Sequence, residues 1–182
     1  MERALVERTR TGDRAAFDDL VRSRIDAVYR TSLAILGDTA DAADATQETF
    51  ISAWRSRSSL RDADRFDAWL GRINVNACRG VLRRRGRSKV RELRLDGPDG
   101  QATIELPHPD GPPDDRTADA DLFDRAFARL KLDDRALLVL HHLQERPVAE
   151  IAAALEVPVG TVKARLHRAR AALESALAKE SR

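Results

Sequence analysis

Cysteine, aromatic side chains, long apolar runs and an excess of charge of one sign are all scarce in this sequence. Cys78 is the one cysteine in 182 residues, which excludes an intramolecular disulfide framework and a Cys-rich zinc site. Aromatic residues make up 4% of the chain against 42% for hydrophobic residues, so the core must consist mainly of Leu, Ala, Val and Ile. These proportions favour a small helical bundle and argue against an all-β fold.

The longest apolar runs, such as 136–140, are much shorter than the roughly 18 residues that span a bilayer. The first residues are charged and do not resemble a signal peptide. We therefore expect no membrane insertion and a cytoplasmic protein. The formal net charge is only +2 although 34% of the residues are charged, so the protein has no uniformly basic coat and the arrangement of its charges decides what it binds.

Proline and glycine are concentrated in an acidic segment, 96–115, that has neither helical nor strand periodicity. We therefore predict an all-α chain of two small helical domains, residues 1–90 and 118–182, joined by a flexible linker over 91–117. Apolar residues at three- to four-residue steps predict a long first helix that ends at Gly37, a second helix capped by Asp38 or Thr39, and a third that follows a polar loop at 56–65. In the second domain the same spacing predicts helices at 122–130, 134–143, 148–155 and 159–178. The inward stripe of the first helix is predicted to contain Phe17, Leu20, Val21, Ile25, Val28, Tyr29, Ser32, Leu33 and Leu36.

The last two predicted helices have the spacing of a helix-turn-helix, with a turn at 156–158. No acid occurs at 157–173, where Lys163, Arg165, Arg168 and Arg170 supply positive charge. A helix fits the DNA major groove, where arginine contacts guanine edges and lysine and arginine neutralise phosphates. An ordinary bundle helix with a solvated basic face is the alternative interpretation.

The third predicted helix carries a basic stripe, Arg72, Asn76, Arg79 and Arg83, at steps that place all four on one face. The run 79–91 contains seven basic residues and no acid. This pattern indicates a phosphate-binding surface, although a solvated helix face fits it equally well.

The second predicted helix carries the opposite sign, with Asp41, Asp44 and Glu48 on one face and Gln47 beside them. Favourable interaction with the helix dipole explains the two acids in the first turn but not the deeper Gln47 and Glu48. An acidic stripe would repel phosphates, so we expect it to face a basic protein surface.

Signals for catalysis or metal binding are weak. His141 and His142 are adjacent and diverge around a helix, so they lack the spacing of a metal-binding pair. Cys78 has no neighbouring histidine and is predicted to be a buried small hydrophobe. We therefore expect no enzyme, no metal site and no cofactor.

Three segments in this order resemble conserved regions of bacterial sigma factors. LGDTADAADATQETFISAW resembles regions 2.1 to 2.2, FDAWLGRINVNACRGVLRRRGR resembles regions 2.3 to 2.4, and EIAAALEVPVGTVKARLHRARAAL resembles region 4.2. The chain is therefore similar to the extracytoplasmic-function (ECF, group 4) sigma factors of the sigma-70 family, which retain region 2 and region 4 joined by a short linker. The resemblance extends over nearly all of residues 10–178, apart from the acidic segment.

The resemblance implies a promoter-specific initiation factor that binds core RNA polymerase and promoter DNA. Residues 1–90 would be region 2, which binds polymerase and melts the −10 element, and residues 118–182 would be region 4, which reads the −35 element. The family's polymerase-binding motif falls on Asp41, Asp44, Gln47 and Glu48. Its −10 contacts fall on the base-capturing loop and the third helix, at Ser58, Ser59, Arg61, Arg65, Arg72, Asn76, Arg79 and Arg83. Its −35 contacts fall on Thr161, Lys163, Ala164, Arg165, His167 and Arg168.

The sequence also departs from the family pattern. Ala43 replaces a common Glu, Ala45 and Thr46 replace larger aliphatic residues, Gly80 replaces a common Asp, and Glu156 replaces a turn glycine. Gly80 costs about 1 kcal/mol relative to Ala within a helix, so bending or fraying is expected there. Glu156 is expected to be strained if the turn requires a positive φ.

Two other functions fit parts of the sequence. An autonomous helix-turn-helix regulator would explain residues 118–182, and an anti-sigma decoy or inactive paralogue would explain the departures. Because no further domain follows the last predicted helix, we expect a separate anti-sigma factor, not a built-in sensor, to control the protein.

Overall fold

The computed structural model describes the backbone of residues 2–95 and 117–181, which we call the first half and the second half. Four helices form the first half: α1 (Glu2–Arg10), α2 (Arg14–Leu36), α3 (Thr39–Ser56) and α4 (Phe66–Leu95). Four more form the second half: α5 (Ala118–Ala128), α6 (Leu132–Leu138), α7 (Val148–Leu155) and α8 (Val159–Glu180). No strand occurs in these two halves, which confirms the predicted all-α class.

Local capping explains where the helices of the first half begin and end. Asp13 and Asp38 cap α2 and α3 by accepting hydrogen bonds from backbone N–H groups three residues later. Gly37 ends α2 in the left-handed conformation, at φ +72°, which glycine adopts without steric cost. These caps confirm the predicted boundaries at Gly37 and Asp38.

The polar loop between α3 and α4 contains two 3-10 turns, Arg57–Ser59 and Ala63–Arg65. Helix α4 continues without interruption through Gly80 to Leu95, so the expected fraying at Gly80 is not observed. Apart from its ends, the predicted linker 91–117 lies outside the described residues.

In the second half, the largest differences from prediction are in α5 and α6. Helix α5 begins at Ala118, four residues before the predicted start, because Thr117 caps it through a hydrogen bond from the backbone N–H of Ala120. The predicted helix 134–143 begins at Leu132 and changes at Val139 to a π-helical turn, Val139–Leu143. Helix α7 has its predicted bounds.

Two hydrophobic clusters form the core. One lies within the first half and contains Val6, Leu20, Phe50 and Trp69. The other extends through both halves, and its members include Ile35, Val75, Cys78, Val81, Leu137, Leu140, Ile151, Val162 and Leu166. The two halves therefore pack against each other, an arrangement that a linker prediction does not anticipate.

The prediction was wrong for one residue of the α2 stripe. Ile25 is 42% exposed, although it fits the apolar stripe of α2. Helix α1, which periodicity did not predict, packs against α2 and places Val6 in the cluster of the first half at 2% exposure. Cys78 is fully buried, as predicted.

Candidate nucleic-acid interface

The acidic stripe of α3 lies outside the hydrophobic core. Asp44 and Gln47 are exposed and Glu48 is half-buried, while Ala45 and Thr49 lie behind them in the interior. The Glu48 carboxylate accepts a hydrogen bond of 2.9 Å from the Ser52 hydroxyl. We call Asp41, Asp44, Gln47 and Glu48 the acidic ridge. Its exposed members are available to a protein partner.

Asp41 differs from the rest of the ridge because it is already paired. Arg85 of α4 donates to its carboxylate at 2.8 Å, and the two side chains are only 23% and 19% exposed, respectively. Asp41 therefore ties α3 to α4. Local sequence patterns do not indicate this pair, because the two residues are 44 positions apart.

The basic stripe of α4 has three members that lie close together. Arg72 and Arg79 are each about one third exposed, and Arg79 donates to the Asn76 side chain at 2.7 Å. Arg83 is exposed one turn further on. We call Arg72, Asn76 and Arg79 the basic face of α4.

The polar loop is held beside this face by buried anchors. Leu60 and Ala63 are buried, while Ser58, Ser59, Arg61 and Arg65 are exposed. The indole N–H of Trp69 donates to the Ser59 hydroxyl at 3.3 Å, which fixes the loop to the first turn of α4.

A cavity of about 390 Å³ joins three of the predicted surfaces. Ser59 of the loop, the basic face of α4 and Arg165 of α8 all line it. Its lining also includes Ser56, Trp69, Ile73, Leu155 and Glu156. Two guanidinium groups of α4 and one of α8 thus line the same cavity.

Helix α8 presents the predicted recognition surface. Lys163, Ala164, His167 and Arg168 are exposed, and Thr161 and Arg165 are half-buried. The opposite side of the helix is anchored by Val162, Leu166 and Ala169, which are at most 2% exposed. The period of 3.6 residues explains this division.

The turn before α8 places Glu156 at φ +55° and ψ +41°. Its backbone N–H, with that of Val157, closes the end of α7 on the carbonyl oxygens of Ala153 and Ala152. The turn therefore has the positive φ on which the expected strain of Glu156 depended, and a non-glycine residue there costs on the order of 1 kcal/mol. Glu145 is the other non-glycine residue with a positive φ in the described part of the chain.

Acidic side chains of the second half pair with the basic face of α4. Arg72 forms an ion pair with Glu156, and Arg79 donates to Asp133 at 2.8 Å. The side chain of Gln144 also donates to the hydroxyl of Thr31 on α2. Sequence reasoning identified Glu156 only as a departure in the turn and did not identify Asp133.

The surroundings of Cys78, Arg135 and His142 shift the pKa values of these side chains. Burial raises the pKa of the Cys78 thiol to about 11, so the thiol remains protonated at neutral pH. Burial lowers the pKa of the Arg135 guanidinium, and burial with the neighbouring His141 and Arg170 lowers that of His142. No group of His, Cys, Asp and Glu able to hold a metal ion occurs within the described halves.

Family models match both halves of the chain. The model described as "Sigma-70 region 2" matches residues 20–88, and the one described as "Sigma-70, region 4" matches residues 120–173. Among curated relatives, the ECF RNA polymerase sigma factor SigE of Mycolicibacterium smegmatis is 39% identical over 174 residues, covering 94% of this chain and 66% of SigE. The ECF RNA polymerase sigma factor SigW of Bacillus subtilis is 32% identical over 176 residues, covering 94% of each chain.

Two solved structures resemble the whole arrangement. CnrH, determined in complex with the cytosolic domain of CnrY, superposes with a TM-score of 0.66 at 26% identity, covering 98% of this chain and 97% of CnrH. The sigma factor RpoE, in complex with the anti-sigma factor NepR from Bartonella quintana, superposes with a TM-score of 0.64 at 25% identity, covering 88% and 96%. Among the described helices, none combines the length and the apolar character that a membrane span requires.

Proposed function

This chain belongs to the ECF group of the sigma-70 family of RNA polymerase sigma factors, and from that premise we propose how its surfaces divide the recognition of a promoter. The observation that carries the proposal is the separation of charge: an exposed acidic ridge on α3, and arginine-rich surfaces on α4 and α8. The negative charge of the ridge suits a basic protein surface, and the positive charge of the arginine-rich surfaces suits DNA.

The acidic ridge is the surface for core RNA polymerase. Asp44 and Gln47 are exposed and Glu48 is partly exposed, so they reach a partner without rearrangement of the helix. Asp41 is tied to Arg85 and serves mainly to fix the ridge against α4. Residues 1–90 act as region 2 in this proposal.

The basic face of α4, with Arg83 and the adjoining loop, contacts the −10 element. Ser58, Ser59, Arg61 and Arg65 project from the loop where an unstacked base would be held. Extruding a base costs a few kcal/mol, which backbone contacts from arginine side chains offset. The position of the loop beside the basic face supports this assignment.

Helix α8 reads the −35 element in the major groove, with residues 118–182 acting as region 4. Its exposed side consists of small, basic and hydroxyl side chains: Thr161, Lys163, Ala164, Arg165, His167 and Arg168. Small residues permit close approach to the bases, and the basic residues bind phosphates or guanine edges.

Control by a separate anti-sigma factor is also proposed. RpoE of known structure is bound to the anti-sigma factor NepR, and CnrH is bound to a cytosolic domain of CnrY. We propose that this chain acts in the cytoplasm as a binding protein and contributes no catalytic group to RNA synthesis, which core polymerase performs.

Run-off transcription tests the function directly. Purified core polymerase is combined with the full chain and a library of genomic fragments from the source organism, and the transcript 5′ ends are sequenced. We expect transcripts whose upstream sequences share a −35 and a −10 element, and none when the chain is omitted. Tight, specific duplex binding without core polymerase, together with no added transcription, would instead identify an autonomous regulator.

Replacing Arg165 by alanine is expected to weaken −35 recognition. Arg165 is half-buried and has no ion pair within the described residues. If its guanidinium contacts a base edge as proposed, losing that contact costs about 1 to 3 kcal/mol of discrimination. The measurement compares initiation on the selected promoter and on one with a scrambled −35 element. Lys179→Ala removes one positive charge from the same helix outside the proposed surface and should retain the discrimination. Equal discrimination by Arg165→Ala and wild type would remove Arg165 from the site.

A further inference from the structure

Two of the arginines proposed to contact the −10 strand, Arg72 and Arg79, are already paired with carboxylates of the same chain. Glu156, in the turn before α8, pairs with Arg72, and Asp133, in the first turn of α6, accepts from Arg79 at 2.8 Å. Both acids belong to the second half, and both arginines lie on the basic face of α4. The basic face is therefore an interface between the halves.

We propose that Glu156 and Asp133 occupy the positions of DNA phosphates on the basic face of α4, so that the free chain is closed on itself and promoter DNA must displace them. This inference rests on the proposed function, because it takes the basic face as the −10 surface. Carboxylate and phosphate oxygens accept the same charge-assisted hydrogen bonds from a guanidinium group. An arginine paired with a carboxylate is therefore less available to a DNA strand.

The local backbone does not require an acid at position 156. A left-handed residue in a turn is the conformation that glycine adopts most easily, and a glutamate there is strained. That unfavourable backbone nevertheless places a carboxylate against Arg72. The turn does not need the Glu156 carboxylate, so its contact with Arg72 of α4 is the role that the structure shows for it.

The ion pairs are weak enough to be released. The side chains of Glu156 and Asp133 are 71% and 62% exposed, so water and salt screen both pairs. Each exposed pair is expected to change the ratio of closed to open molecules by about two- to five-fold. The hydrophobic cluster shared by the halves supplies the remaining attraction. Glu156 and Asp133 thus shift the ratio of closed to open molecules by a modest factor, and a polyanion that binds the arginines can shift it back.

Single-molecule energy transfer on the full chain, without polymerase or promoter, measures the closure. Dyes are attached at Ala27 of α2 and Ser175 of α8, which are exposed and outside the proposed surfaces, after both are replaced by cysteine in a Cys78→Ser background. Glu156→Arg is expected to raise the ratio of open to closed molecules at least about five-fold, because it places two cations together. Combining it with Arg72→Glu reverses the pair and should return the ratio to within about two-fold of wild type.

Glu145→Arg is the matched control, because Glu145 is also an exposed glutamate at positive φ in the second half. It should leave the ratio unchanged. The proposal is overturned if Glu156→Arg matches wild type, if Glu145→Arg opens the chain equally, or if the reversed pair fails to close it. Should Glu156→Arg not fold, as judged by circular dichroism, Glu156→Gln is used with an expected change of two- to five-fold.

Displacement by a polyanion is tested on the same labelled chain. A single-stranded 20-nucleotide oligo(dT) should raise the open fraction, and a lower concentration should suffice for Glu156→Gln than for wild type. An open fraction that oligo(dT) leaves unchanged would overturn the competition with phosphate. Because neither assay measures transcription, failure here is distinguishable from failure of the chain to direct initiation.

Discussion

Asn74→Ala should destabilise the protein by about 2 to 4 kcal/mol, a loss that urea or thermal unfolding will detect. Asn74 is 2% exposed and lies where α2, α3 and α4 meet. Its side-chain carbonyl accepts from the Ser32 hydroxyl at 2.7 Å, and its amide donates to the Val28 carbonyl at 3.3 Å. Alanine would leave a cavity and would remove the acceptor of the buried Ser32 hydroxyl.

The Ser32 hydroxyl is the group most affected by this change. Thr49 also approaches Asn74, at 3.2 Å, but its single proton has a shorter bond of 2.6 Å to the Ala45 carbonyl. Thr49 therefore remains satisfied, whereas Ser32 loses its side-chain acceptor in a fully buried position. The cost of an orphaned buried donor is about 1 to 3 kcal/mol, and the cavity adds to it.

Asn76→Ala provides the matched control. It removes the same amide two residues later on the same helix, where the side chain is exposed, and should change stability by no more than about 0.5 kcal/mol. If Asn74→Ala were as stable as Asn76→Ala, the buried network would not be what fixes α4 against α2 and α3. The network matters for function because the rotation of α4 decides which side chains its basic face presents.

Helical period and capping account for the parts of the fold that could be predicted. Gly37 and Asp38 define the junction of α2 and α3, and the stripe through Val162, Leu166 and Ala169 orients α8. Each of these signals involves residues that are close together in the chain, so each can be recognised from the sequence alone.

Contacts between distant segments account for what could not be predicted. Periodicity alone places Ile25 in the core, but burial depends on which helices pack against α2, and α1 has too few apolar residues to be recognised by spacing. Asn74 was not predicted to be buried. The hydrogen bonds that offset the cost of burying its amide come from Ser32 and the backbone of α2, which are distant in the sequence. The same limit applies to the site: each stripe follows from one helix, but the pairs Asp41 with Arg85 and Arg79 with Asp133 depend on tertiary packing.

Reversing the charge of the acidic ridge should have the largest effect on polymerase binding. In the Asp44→Lys, Glu48→Lys double variant, two lysines would face the basic surface that the ridge is proposed to contact. Like charges brought together at an interface cost several kcal/mol, so we expect the dissociation constant for core polymerase to rise on the order of 100-fold or more. Fluorescence anisotropy of the labelled chain, titrated with core polymerase at several salt concentrations, measures it.

The control must distinguish a contact made by the acidic ridge from the effect of the changed net charge of the protein. Asp18→Lys with Asp26→Lys makes the same change in total charge on exposed positions of α2, in the same half of the chain. Long-range repulsion would weaken both double variants alike and would largely disappear as salt shortens the Debye length. A contact made by the ridge itself would leave the α2 variant close to wild type and keep the ridge variant weak at moderate salt. If both double variants bind polymerase equally weakly, the effect follows total charge and not the positions of Asp44 and Glu48. Polymerase binding would then be assigned to another surface.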